Sequence, residues 1–125
     1  MVFSLEIRHV PSKGRGVFST RCFSKVIFTL SYPRFRQNHN TVFQGEYVVE
    51  YSGDLIDVLE AKSRDEKYSK DTNRYGSYMY YFHHRGTKWC IDATIETGKY
   101  GRLLNHSCKT PNCATKVLEV CVHRL

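Results

Sequence analysis

The sequence predicts a mainly β fold with short helices, built from several small sheets. Three observations point there. Short β-branched and aromatic runs recur between glycine-containing breaks. Only one stretch carries convincing helix signals. A chain of 125 residues also has room for one domain with a real core.

Taken in order, Gly16-Val17-Phe18-Ser19-Thr20 follows a glycine-rich turn and reads as a strand. Glu46-Tyr47-Val48-Val49-Glu50-Tyr51 is a second strand, which Ser52-Gly53 ends. Asp57 is an N-cap candidate for a helix from Val58 to about Ser69, with Glu60 completing a box-like pair and Arg64 four residues beyond it. Ser77 to Phe82 is a strand that sets Tyr78, Tyr80 and Phe82 on one face. Trp89 to Ala93 is its expected hairpin partner, with Gly86-Thr87 between them. A short helical turn is expected over Lys99 to Leu104.

The segment Val26 to Gln44 does not fit this pattern. It holds two charged residues and shows no sustained periodicity. Its flanks, Phe23-Ser24-Lys25 and Gly45-Glu46-Tyr47-Val48-Val49, join into a tight turn entering a strand. The segment therefore reads as an insert lying outside the core. Valine codons can begin with GT and glutamine codons can end with AG, so an in-frame retained intron matches both ends. The alternative is a genuine surface loop, whose closure entropy grows only logarithmically with length.

Composition narrows the function. Nineteen Lys and Arg against 12 Asp and Glu give a net charge of +7, which favours acidic partners such as nucleic acid or chromatin. No apolar run is long enough to span a bilayer, and the N-terminus does not read as a secretory signal. Five irregularly spaced cysteines read as thiols in a reducing compartment, not as a disulfide scaffold. Cys108 and Cys113 form one near pair, and no second pair completes a four-ligand zinc site.

Three stretches carry chemistry. Lys13-Gly14-Arg15-Gly16 lets backbone approach a ligand closely, although a plain turn reads the same way. Glu50-Tyr51-Ser52-Gly53-Asp54 ends a strand, and Arg102-Leu103-Leu104-Asn105-His106-Ser107 places polar residues after an apolar pair. Together, and with Tyr78-Met79-Tyr80-Tyr81-Phe82, Asp92-Ala93-Thr94 and Glu96-Thr97, they resemble the SET domain of protein lysine methyltransferases. The resemblance is strongest to members that monomethylate a lysine of the histone 4 tail.

That resemblance implies one domain over residues 5–125, interrupted by the insert at 26–44. The implied fold is a set of small curved sheets with a knot-like C-terminal region. The implied cofactor is S-adenosylmethionine, bound by Lys13, Gly14, Arg15, Tyr78, Asn105 and His106. Tyr51 and Tyr78 would line a channel for the substrate lysine, and no metal is implied. The implied setting is a nuclear, chromosomal monomer acting on the histone 4 tail in nucleosomes, its basic surface on nucleosomal DNA, with no membrane partner. The family pattern continues to a tyrosine-rich stretch that supplies the catalytic tyrosine, whereas this sequence stops at Leu125. The catalytic residue is thus unassigned, and a truncated, weakly active or inactive form is expected. A non-catalytic basic chromatin- or protein-binding module is the rival reading.

Overall fold

A computed structural model describes residues 4–23, 26–32, 46–71 and 78–119. Eight strands, one α-helix and one 3-10 turn make up these residues. The first sheet pairs β1 (Leu5–Val10) with β2 (Gly14–Ser19) antiparallel, and Lys13 N–H closes the intervening turn on Val10 O at 3.1 Å. The second is parallel, with β3 (Val26–Tyr32) between β4 (Glu46–Tyr51) and β8 (Cys113–Glu119). The third places β7 (Thr87–Asp92) between β5 (Asp54–Asp57) and β6 (Met79–His84), both antiparallel to it.

The β6–β7 hairpin forms where the sequence expects it. Its turn sits on Arg85 and Gly86, whose φ values are 49° and 75°. Two consecutive left-handed residues give the turn the twist that antiparallel strands need. The register pairs Tyr80 with Ile91 and Phe82 with Trp89. One face of this sheet therefore carries Tyr78, Tyr80, Phe82 and Ile91 into the main core with Leu5, Val48, Val49, Tyr51 and Ala93. The other face packs Ile56, Cys90 and Met79 against Ala61 of α1 (Val58–Ser69).

Helix α1 starts as its cap predicts, with Asp57 Oδ1 accepting from Glu60 N–H at 2.8 Å. It is clamped to the sheet by Arg64, which donates to Asp54 at 2.9 Å and to Asp92 at 3.0 Å. Tyr68 adds a hydroxyl bond to the same Asp92 carboxylate at 2.8 Å. Burial would raise the Asp92 pKa, but bonds from Thr94, Tyr68 and Arg64 outweigh it and hold the carboxyl below its usual value. Among the described residues, no helix is long and apolar enough to cross a membrane.

The segment read as an insert supplies a strand at residues 26–32. They are not an excursion outside the sheets but the middle strand of the parallel one, paired with β8 over the whole of β3 and with β4 across a register shift between Ile27 and Thr29. The physical reason lies partly in composition and mainly in the neighbouring strands. Val26-Ile27-Phe28-Thr29-Leu30 is rich in strand-forming types, and a strand there satisfies the facing backbone edges of both neighbours. Residues 33–44 lie outside the described residues. Strands β1, β5 and β8 were not expected from local sequence either, because each acquires its identity from a partner.

Candidate active site

The site is built where β2, the entry to β6 and the turn after β7 meet. Arg15, on β2, is half-exposed and donates through Nη2 to Glu96 Oε2 at 2.5 Å. Glu96 lies on the loop following β7 and accepts a second bond on the same oxygen, from Arg102 Nη1 at 2.6 Å. Arg102 belongs to the 3-10 turn Gly101–Leu103 and is buried, at 7% exposure. An arginine at that depth must have its donors occupied. Here Nε donates to Ala93 O at 2.7 Å and Nη2 to Thr94 O at 2.9 Å. Its guanidinium also lies 3.8 Å from the ring centroid of Tyr78. A chain of contacts thus runs Arg15–Glu96–Arg102–Tyr78 and links three segments remote in sequence.

Charge follows this geometry. The bond from Arg15 is the main reason the Glu96 carboxyl sits below its usual range, and the same pair raises Arg15. Glu96 therefore remains a carboxylate between two guanidinium groups.

Asn105 enters from the other side. A methyl carbon built on Gly16 would lie 2.6 Å from Asn105 Nδ2 and 2.9 Å from Val10 Cγ2. No side chain fits between β2 and Asn105, so glycine at 16 is what allows the Asn105 amide to lie against this strand. Tyr51 closes the interior. Its hydroxyl donates to Tyr78 O at 2.9 Å, and Ala93 N–H donates to that same carbonyl at 3.0 Å. Burial pushes the Tyr51 phenol up to about 12. The Tyr51 and Tyr80 rings lie 5.4 Å apart, in the tilted arrangement that aromatic pairs favour.

The structure therefore brings Arg15 and Tyr78 together, directly and through Glu96 and Arg102, sets Asn105 against Gly16, and ties Tyr51 to Tyr78. Lys13 and Gly14 form the β1–β2 turn, on the exposed surface. His106 turns its Nε2 to Cys108 Sγ at 2.8 Å. Glu96 and Arg102 lay within recognised stretches, yet their partnership was missed. The signal available was a pair of opposite charges near Asp92-Ala93-Thr94, without the depth that makes Arg102 demanding. A separate open cleft of about 370 Å³ lies between β4 and the 98–100 loop, and its lining includes Tyr47, Glu50, Lys99 and Tyr100. None of the sequence-derived cofactor residues lines it.

Small sheets around one short helix, with the Arg-Leu-Leu-Asn-His-Ser stretch set against β2, define a SET-type fold. Residues 14–124 match the SET domain family, and the chain belongs to it. It is 44% identical over 114 residues to the histone-lysine N-methyltransferase Set8 of Drosophila melanogaster, an alignment covering 91% of this chain and 14% of that protein. It is 43% identical over 113 residues to the N-lysine methyltransferase KMT5A-A of Xenopus laevis, covering 90% of this chain and 28% of that protein. The crystal structure of CpSET8 from Cryptosporidium superposes with a TM-score of 0.60 at 36% identity, covering 86% of this chain and 41% of that one. The chain thus spans well under half the length of each of these relatives.

Proposed function

We propose that this chain is the S-adenosylmethionine-binding part of a histone-lysine methyltransferase that acts on a lysine of the histone 4 tail. Two observations support this reading within a SET domain: Arg15 is linked to the Tyr78 ring through Glu96 and Arg102, and the Asn105 amide lies against Gly16 of the same strand. The donor set suits the cofactor. An exposed guanidinium matches a carboxylate, a side-chain amide can take an ammonium or a ring nitrogen, and an aromatic face suits a sulfonium or adenine. Lys13, Gly14, Arg15, Tyr78, Asn105 and His106 are the residues that would hold it.

When bound, S-adenosylmethionine supplies an electrophilic methyl group on sulfur. The chain's own residues have a simpler task. Tyr51 stays a neutral phenol near neutral pH, since burial pushes its pKa up to about 12. It therefore offers a lysine channel an oriented hydroxyl and adds no charge. Burial beside Tyr51, Tyr78 and Tyr80 would strip water from an entering lysine, and that desolvation lowers its pKa toward the neutral amine that can attack. Tight packing also excludes water and fixes direction.

The reading places the protein on chromatin in the nucleus, as a monomer. Its +7 charge supports contact with nucleosomal DNA. We also propose that Val26 to Gln44 is an addition to the domain, part of which has been taken up as strand β3. Calorimetry of the chain with S-adenosylmethionine tests the central reading. Binding that weakens by about 1–3 kcal/mol in Asn105→Ala is expected. No binding by the wild-type chain, together with salt-sensitive nucleosome binding, would instead favour the non-catalytic basic module.

A further inference from the structure

We infer that Glu96 is a positioning residue of the cofactor site, acting through Arg15 on one side and through Arg102 and Tyr78 on the other. This deepens the proposed function and rests on its assignment of the cofactor residues.

Glu96 joins β2 to the 3-10 turn, accepting from both arginines on one carboxylate oxygen. The two arginines differ in what holds them. Arg102 is anchored independently by two backbone carbonyls and a ring face. Arg15 has no such depth: its side chain is 48% exposed, Glu96 is its main partner, and Tyr78 is a weaker one. Left to itself, a long exposed arginine on a two-stranded ribbon samples many rotamers. Glu96 removes that freedom before ligand arrives. It borrows rigidity from the buried Arg102 and passes it to Arg15, which lessens the ordering cost of binding.

The same carboxylate also offsets one of the two guanidinium charges, so the locus carries +1 where the arginines alone would give +2. Glu96 touches no reacting atom under this reading. Its role is to hold the Arg15 guanidinium where a ligand carboxylate could meet it.

The test is a double-mutant cycle on the 1–125 chain, with S-adenosylmethionine binding measured by calorimetry and melting followed without ligand. Glu96→Gln is expected to weaken binding roughly tenfold, while the melting temperature stays within a few degrees because the pair is half-exposed. Arg15→Gln alone should weaken binding by a similar factor. The double variant should be little weaker than either single one, because both remove the same oriented guanidinium. Glu96→Asp keeps the charge and should recover most of the affinity; it also serves as the probe if Glu96→Gln does not melt cooperatively. Full additivity in the cycle, or wild-type affinity in Glu96→Gln, overturns the inference alone. A wild-type chain that binds no S-adenosylmethionine overturns the site assignment and the inference with it.

Discussion

Replacing Arg102 by methionine should destabilise the domain by about 3–5 kcal/mol, and the structure supplies each part of that figure. Methionine keeps most of the aliphatic stem, so little cavity opens. What disappears is the guanidinium and its partners. Ala93 O and Thr94 O lose donors at 2.7 and 2.9 Å in a buried setting. Leaving buried acceptors unpaired costs about 1–3 kcal/mol each. The Tyr78 ring loses a cation at 3.8 Å, which adds roughly 0.5–2 kcal/mol. The ion pair with Glu96 adds little, because that carboxylate is 48% exposed and screened by water. These terms share one side chain and do not simply add. Against a typical stability of about 5–15 kcal/mol, the loss is severe. Urea unfolding should show a midpoint lower by roughly 2 M with an unchanged slope, since the surface exposed on unfolding is the same. A loss below about 1 kcal/mol would refute the view that Arg102 is buried with its donors satisfied.

Three further outcomes are expected. Stability should fall as pH drops below about 4, because Asp92 titrates lower in the folded than in the unfolded chain and its contribution exists only while it is ionised; urea midpoints from pH 7 to 3 should show this slope flattened in Asp92→Asn. Gly101→Ala should cost about 1–3 kcal/mol by thermal melting, since the new methyl would meet the backbone carbonyl of Glu50, which cannot rotate aside. Deleting Val26 to Gln44 should preserve cooperative unfolding while the amides of β8 lose hydrogen-exchange protection, because β3 is what pairs with them; loss of all cooperative folding would show that the segment is integral to the domain.

Local sequence determined the elements whose signals are self-contained. Asp57 and Glu60 mark the start of α1 because a cap is a contact within one turn. The alternation of Tyr78, Tyr80 and Phe82 marks a core-facing strand because one residue's direction dictates the next but one. The pairing of Arg15 with Tyr78 as cofactor residues came from resemblance to a family, not from spacing. The tertiary structure alone decided the rest. Val26–Tyr32 is a strand because β4 and β8 present backbone edges on either side, and nothing within the segment announces those partners. Glu96 and Arg102 become a linked pair only once β2, the loop after β7 and the 3-10 turn converge. Burial of Arg102, which turns an ordinary charge into a demanding one, belongs to the packing of distant segments and not to any run of residues.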